Sequence, residues 1–419
     1  MTKQKRASEL LRDVKHAGGC LQPVRLRGEF VNTVTGEVIE RPLLVACKDR
    51  RAVLCASCAD LYKADAWIVV STGLIGGKGV PDSVATHPRL FLTLTAPSFG
   101  LVHVRREDGS CRTGPRRRCR HQRETTCGRR HDDTDPLLGS PLCEDCFNYR
   151  GAVLWNAESS RLWNRTFEQV RRRLAIALGV PFEEFSRYAR LSYLKVAEFQ
   201  KRGLVHFHVV LRLDGSEPFG SPPESLSSEL LTQVISTVVP RFAVTTPHGT
   251  ITWGSQFQVS DASALERDDL RIAGYIAKYA TKTTDGSLAF ARRFRSRQEI
   301  SELDTTPHLR RLALTTWDLA LEPSLRELNL RHHAHAFGVR SQLITKSRHY
   351  GTRFQDLREA RAAFMTTPQS EDPISGTFIY DGRGYDDPRA AAVAQLLHQM
   401  TVEARRATRQ KRPQDLSAP

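Results

Sequence analysis

The 419-residue sequence predicts an α+β fold: a central antiparallel sheet with helices on one face, joined to zinc-binding cysteine modules and a helical C-terminal region. Residues 191–199 and 204–213 are two alternating, β-branched runs separated by a short turn ending in glycine. Residues 155–178, 224–238 and 309–321 repeat apolar side chains at helical spacing. Nine cysteines include two Cys-x-x-Cys pairs. A chain of this length accommodates two or three domains. The expected segments are a cysteine module over 1–88, a sheet domain over 89–285 with a cysteine insertion near 110–150, an Arg-rich helical region over 286–365, and a partly disordered C-terminal segment over 366–419.

The chain opens Met-Thr-Lys-Gln-Lys-Arg, which is no secretory signal, and no apolar run approaches a membrane span. The expected compartment is the cytoplasm, where reduced cysteines favour zinc over disulfides. Two structural zinc ions are expected, closing loops that lack a large apolar core. Cys55/Cys58 and Cys143/Cys146 anchor them. The natural partition is Cys20, Cys47, Cys55 and Cys58 for one site, with Cys119, Cys127, Cys143 and Cys146 for the other. Cys111 is the spare, and it, His121 or His131 could replace Cys119 or Cys127. A redox role is disfavoured because no thioredoxin-like strand and helix flank either pair.

Asp60–Val70 has a helical pattern. The following Gly73-Leu-Ile-Gly-Gly-Lys-Gly79 has the wrong spacing for a phosphate loop and no Ser or Thr after its lysine, so it is read as a turn and no nucleotide is expected. Phe91–Thr95 alternates as a strand and Pro97 ends it. The run Arg116-Arg117-Arg118-Cys119-Arg120 lies in the insertion and reads either as a contact to a phosphate backbone or as a solvated charge run beside a zinc loop.

On the strand Leu204–Leu213, His206 and His208 share one face while Val205, Phe207, Val209, Leu211 and Leu213 share the other. A Lys201-Arg202-Gly203 loop with Gly203 left-handed sets a register with Glu198 opposite His206. Two imidazoles and one carboxylate then converge on one face. That donor set suits Mg²⁺ or Mn²⁺ in a site left open for a phosphate oxygen. The loop 214–225, rich in Gly, Ser and Pro, follows. Asp268–Lys282 reads as a helix, on which Tyr275, Lys278, Tyr279 and Lys282 form one stripe. A phenol with a reference pKa near 10 needs neighbouring cations to act as a nucleophile at neutral pH, and the two lysines supply them.

Three segments in this order, Phe91-Leu-Thr-Leu-Thr-Ala-Pro97, then Glu198 with His206-Phe-His208, then Tyr275-Ile-Ala-Lys-Tyr279-Ala-Thr-Lys282, resemble the motifs of rolling-circle replication initiators of the HUH endonuclease superfamily. The likeness is to initiators of actinobacterial plasmids and integrative conjugative elements, and it covers most of residues 15–365. The resemblance implies that His206 and His208 bind a divalent cation with Glu198 as third ligand, and that Tyr279 attacks DNA. Tyr275 stands where related initiators have Glu, so the pair resembles the two-tyrosine arrangement. The implied activity is metal-dependent cleavage and rejoining of one strand at a replication origin through a 5′-phosphotyrosine. Origin DNA is the implied partner, with a host helicase and the replication machinery supplying strand separation and synthesis. A rolling-circle transposase of the same superfamily, or a zinc-stabilised DNA-binding regulator without catalysis, are the competing readings.

Composition agrees with a nucleic-acid partner. The formal net charge is +16, enough for a salt-sensitive attraction to phosphates. Only 12 of the 62 basic residues are Lys, which favours bidentate phosphate and guanine contacts, although a GC-rich genome yields the same bias. The Arg-rich region, including helical patterns at 309–321 and 355–364, is expected to grip DNA. His332, His333 and His335 read as surface or DNA contacts, since no cysteine or carboxylate partner lies nearby in sequence. A helix is expected at 387–407, and disorder in the final dozen residues.

Overall fold

The structure, a computed structural model, describes residues 7–39, 43–112, 114, 117–261, 274, 276, 278, 290, 292–340, 342–365 and 374–410. It divides into two units that differ from the four expected segments. One comprises Ala66–Arg353; the other joins Met1–Asp65 to Phe354–Pro419. The division falls within the helix Ala56–Ile75.

The larger unit is built on a five-stranded sheet in the order Phe257–Asp261, Arg89–Leu94, Val205–Gly215, Ala189–Phe199, Ile344–Lys346, with every neighbouring pair antiparallel. One face is apolar. Leu90, Leu92 and Leu94 lie opposite Leu211, Val209 and Phe207. These side chains form one core with Trp155, Leu162, Trp163 and Leu174 of the long helix Tyr149–Ala177 and with Leu231 and Ile235 of Ser228–Val238. Each buried Leu or Phe stabilises by about 1.5–3 kcal/mol relative to exposure. The long helix begins six residues before the sequence pattern suggests, because the Asn148 side chain accepts the Gly151 N–H and caps it. Ser227 likewise caps the second helix, so residues 224–227 belong to the preceding loop.

The opposite face carries the predicted ligands and, at its far end, a buried ionic network. Arg212 is fully buried and pairs with Asp214 through Nε–Oδ1 at 2.7 Å and Nη2–Oδ2 at 3.0 Å. His87 Nδ1 lies 2.9 Å from Asp214 Oδ1, and the Ser192 hydroxyl donates to Oδ2 at 2.6 Å. Together these contacts hold the Asp214 carboxyl below its usual range although burial alone would raise it. The same guanidinium donates to the carbonyls of Gly73 and Tyr350, and Arg89 donates to Leu74 O at 2.7 Å. Two cations thus cap the negative end of the helix ending at Ile75. Helical elements therefore meet both sheet faces, a correction to the expected one-sided arrangement. It is also the reason residues 66–88 join the sheet rather than the N-terminal module.

Gly73 must be glycine: an added Cβ would fall 2.1 Å from the Tyr350 ring. Gly76, Gly77, Lys78 and Gly79 all have positive φ and form the expected turn, while Leu74 and Ile75 complete the helix.

The smaller unit pairs the two ends of the chain. Val24–Arg27 lies between Leu43–Val45 and Ile379–Arg383 in one antiparallel sheet; Phe30–Asn32 lies between Val38–Ile39 and Ile374–Gly376 in another. Leu10 and Val14 of the helix Ala7–His16 pack on Ala390 and Ala394 of the helix Pro388–Gln410. Among the described residues a further small buried apolar cluster is formed by Ala17, Cys20, Cys55 and Cys58. Residues 411–419, expected to be disordered, lie outside the described residues. The helix Phe354–Met365 opens the C-terminal part of this unit rather than closing a separate basic region.

One cation sits on the apolar face. Lys195, opposite Val209, is 2% exposed, with Nζ 4.0 Å from the Phe207 ring centre and 5.8 Å from that of Trp163. Burial pushes its ammonium from 10.5 down to about 8. Between these two values the unfolded chain binds more protons than the folded one, so stability rises with pH across that window. Lys195→Met is expected to exceed the parent in stability at pH 7, by on the order of 2 kcal/mol, and to lack the rise between pH 8 and 10.5. Urea unfolding of both proteins across that range checks this, and parallel pH profiles would refute it.

Candidate active site and metal clusters

Glu198, His206 and His208 converge as the alternation of the two strands dictates. Glu198 is paired with His206 in the ladder, and His208 follows on the same face. Glu198 Oε2 lies 2.9 Å from His206 Nε2 and 3.4 Å from His208 Nε2. One ligand atom from each residue lies within 4.8 Å of the others. These separations fit neighbouring positions around a Mg²⁺ or Mn²⁺ ion, whose ligands at roughly 2.1 Å in octahedral geometry are about 3.0 Å apart. Glu198 and His208 are buried and His206 is partly exposed, so one side of the triad faces the surface.

Thr93 fixes the orientation of His208. Its Oγ1 is 3.2 Å from His208 Nδ1, across the pairing of the strands Arg89–Leu94 and Val205–Gly215. An Nδ1–H donated to this hydroxyl leaves the Nε2 lone pair toward Glu198. The Phe91 ring lies parallel to His208 at 5.9 Å. The strand of the first motif therefore contributes a hydroxyl that orients the site. The alternation of Phe91–Thr95 identifies a strand without singling out Thr93; its register opposite His208 is the signal that could have found it.

The hairpin turn is held from several directions. Gly203 has φ +74°, and its N–H donates to Gln200 O at 2.8 Å. The fully buried Asn156 donates to Gly203 O and Phe337 O, and accepts the Val205 N–H at 3.1 Å. Arg202 donates to Ala96 O and Pro97 O, and burial lowers its guanidinium to about 10. His308 Nε2 donates to Arg202 O at 3.1 Å, leaving Nδ1 to accept from the Tyr149 hydroxyl at 3.0 Å. Asn156 and His308 have no sequence signal, because both reach the turn from helices distant in the chain.

Tyr275, Tyr279 and Lys282 lie outside the described residues. Of the expected helix Asp268–Lys282, the described Gly274, Ile276 and Lys278 are helical; Ile276 is fully buried and Lys278 exposed.

Cys20, Cys47, Cys55 and Cys58 come together in the smaller unit. Their thiols are 3.5 Å apart for Cys20/Cys58 and 3.7 Å for Cys20/Cys55 and Cys47/Cys58. A disulfide requires about 2.05 Å, whereas thiolates at 2.3 Å from a tetrahedral zinc stand about 3.8 Å apart. The donors therefore fit zinc.

The expected second set is corrected. Cys119, Cys143 and Cys146 assemble with His121, whereas Cys127 groups with His103, Cys111 and His131. His121 Nδ1 is 3.3 Å from Cys146 and 3.6 Å from Cys143. Cys111 is thus not a spare, and His103, never singled out in the sequence, is its neighbour at 3.8 Å. Sequence spacing alone cannot say which distant pair a Cys-x-x-Cys takes as its partner. Glu158, His248 and Glu327 form a further group in the larger unit, with His248 Nε2 3.3 Å from Glu327. The rings of His332 and His333 meet edge to face at 4.9 Å, but they join no metal-ligand group among the described residues.

Beside the hairpin turn lies a cleft of about 530 Å³, whose lining includes Thr95, Arg105, Arg112, Lys201, Arg202 and Gln256. No helix among the described residues is long and apolar enough to cross a membrane.

Two comparisons with known proteins bear on the family of this chain. The model of the RepSA family, described as "Replication initiator protein, pSAM2", matches residues 6–399. A replication initiator protein of Streptomyces ambofaciens is 34% identical over 443 aligned residues, covering 96% of this chain and 93% of that protein. No solved structure matches the chain. With nearly the whole chain covered by both similarities, the protein belongs to the replication initiator family represented by the pSAM2 protein.

Proposed function

We propose that this replication initiator is an HUH endonuclease that nicks and rejoins one strand at its origin, starting rolling-circle replication of a plasmid or integrative element. The observation that carries the reading is the convergence of Glu198 Oε2, His206 Nε2 and His208 Nε2 on one sheet face. Mg²⁺ or Mn²⁺ held there would polarise the scissile phosphate and offset charge on its oxygens. Cys20, Cys47, Cys55 and Cys58 would hold a structural zinc ion, as would Cys119, His121, Cys143 and Cys146.

In this scheme the Tyr279 oxygen bonds to phosphorus as the bond to the 3′-oxygen breaks. The phenolic proton ends on the departing 3′-hydroxyl, and the 5′ end stays on the tyrosine. Lys278 and Lys282 favour the phenolate by their charge. Because the phosphotyrosyl ester retains the energy of the broken bond, a later 3′-hydroxyl reverses the step without ATP. Tyr275 makes the second attack that ends a round. The freed 3′-hydroxyl primes synthesis by the host machinery, and a host helicase separates the strands.

The reading is tested with single-stranded or supercoiled origin DNA and Mn²⁺, scoring a denaturation-resistant link between protein and 5′-DNA. Tyr279→Phe is expected to abolish nicking and the adduct, and Tyr275→Phe to nick but fail in closure. Equal nicking by both variants would overturn the assignment.

Thr93→Val removes the hydroxyl that orients His208 while keeping the strand. Loss of such a partner costs about 10- to 100-fold in metal affinity, so calorimetric Mn²⁺ titration should show weaker binding by at least the lower figure. An unchanged Kd would dissociate Thr93 from the site.

Among the described residues Arg105, in the cleft beside the turn, has the exposed Asp133 as its ion-pair partner at 3.5 Å, a surface pair worth little. It is free to exchange that partner for a phosphate. Arg105→Ala is expected to weaken binding of single-stranded DNA irrespective of sequence. The slope of log K against log salt should become shallower by about 0.7. A loss confined to one sequence would instead make Arg105 a base reader.

A further inference from the structure

The insertion contains eight thiol and imidazole ligands in the order His103, Cys111, Cys119, His121, Cys127, His131, Cys143, Cys146. In space the first pair joins the third, and the second pair joins the fourth. We propose that the insertion is an interleaved two-zinc module, in which His103, Cys111, Cys127 and His131 form a complete zinc site of their own. The claim is independent of the nicking chemistry.

Distances, orientation and burial each support it. Cys111 Sγ lies 3.8 Å from His103 Nδ1, and Cys127 Sγ lies 3.7 Å from His131 Nε2. With Zn–N of 2.0–2.1 Å and Zn–S of 2.3 Å, the tetrahedral edge between such donors is about 3.6 Å. His131 Nδ1 lies 2.6 Å from Asp135 Oδ2. A proton held in that bond leaves Nε2 as a lone-pair donor on the cluster side, the carboxylate–histidine–zinc arrangement. The Val104 N–H points at Cys111 Sγ at 3.4 Å, which suits a thiolate. Cys111 is fully buried, His131 is 3% exposed, and His103 and Cys127 are half-buried; four protein donors fill a tetrahedral position that an open catalytic site would leave incomplete. Two thiolates would neutralise Zn²⁺, which removes the cost of an unbalanced buried charge.

The module has a structural reason to need both ions. Between His103 and Cys146 the buried apolar side chains among the described residues are Cys111, Leu138, Pro141 and Cys143, too few to form a core. Because the third ligand pair returns to the first site past the second, each ion closes a loop that runs through the other's ligands. The module also abuts the hairpin turn: an added Cβ on Gly139, whose φ is +85°, would fall 2.3 Å from the Lys201 carbonyl carbon.

The test is the zinc content of the full-length protein, measured by plasma mass spectrometry on a His206→Ala/His208→Ala background so that the triad adds none. Three zinc ions per chain are expected: one on the four cysteines of the smaller unit and two in the insertion. Cys111→Ser and His131→Ala should each lower the count to two or fewer, and His131→Cys, which restores a ligand, should keep three. A background count of two, or a count that Cys111→Ser and His131→Ala leave unchanged, overturns the proposal. Ligand loss can unfold the segment, so protein of the same background grown on cobalt provides a second readout without substituting the insertion. A two-sulfur, two-nitrogen site adds visible bands at shorter wavelength than the four-sulfur site. Spectra containing only sulfur-rich sites would equally overturn it.

Discussion

The register of one hairpin governs the candidate site. Side chains on a strand alternate with a period of two, so a slip of one residue between Ala189–Phe199 and Val205–Gly215 would move Glu198 out of line with His206. It would also turn the wrong face of one strand to the core. The positive φ of Gly203 and the buried Asn156 fix that register at the turn. The apolar row Phe207, Val209, Leu211 fixes it along the strand. Burial of one face and convergence of the triad on the other are therefore two results of the same constraint.

The ligand-bearing face is mechanically anchored at the end remote from the turn. There the Arg212–Asp214 pair is fully buried, and every oxygen of the carboxylate has a partner. Burying a charged pair costs several kcal/mol in desolvation, which only good geometry and additional hydrogen bonds offset. What the network supplies is definition. It binds the last carbonyls of one helix and the Tyr350 segment to the central strand at fixed positions. The strand is thus held at both ends, by hydrogen bonds to the turn near the triad and by a buried ion pair away from it.

Much of the larger unit was legible because its signals are local. Alternation at 205–213, the turn glycine at 203 and the apolar spacing of the long helices gave the strands, the Glu198–His206 pairing and the helical layer. The cysteine partition was legible only where four ligands flank one segment, as for Cys20, Cys47, Cys55 and Cys58. It failed for Cys127, whose partners His103, Cys111 and His131 are chosen by how the loops cross, a matter of topology rather than spacing. The pairing of Val24–Arg27 with Ile379–Arg383 escaped for a related reason: backbone ladders between distant segments leave no trace in either segment's own pattern. Thr93 lay between these cases, since its role follows from a register that was never extended to the neighbouring strand.

That terminal pairing has a consequence for how the chain is made. Arg25 donates to the carbonyl of Asp381, a partner 356 positions away. A ribosome must therefore synthesise almost the entire polypeptide before the middle strand of that small sheet acquires its second neighbour. During translation the early segment waits with one edge unsatisfied, and a prematurely terminated product would never complete it. The thiol cluster at Cys20, Cys47, Cys55 and Cys58 needs no late residue. A metal ion bound by these four thiols would hold the nascent amino-terminal portion together until the closing strand emerges.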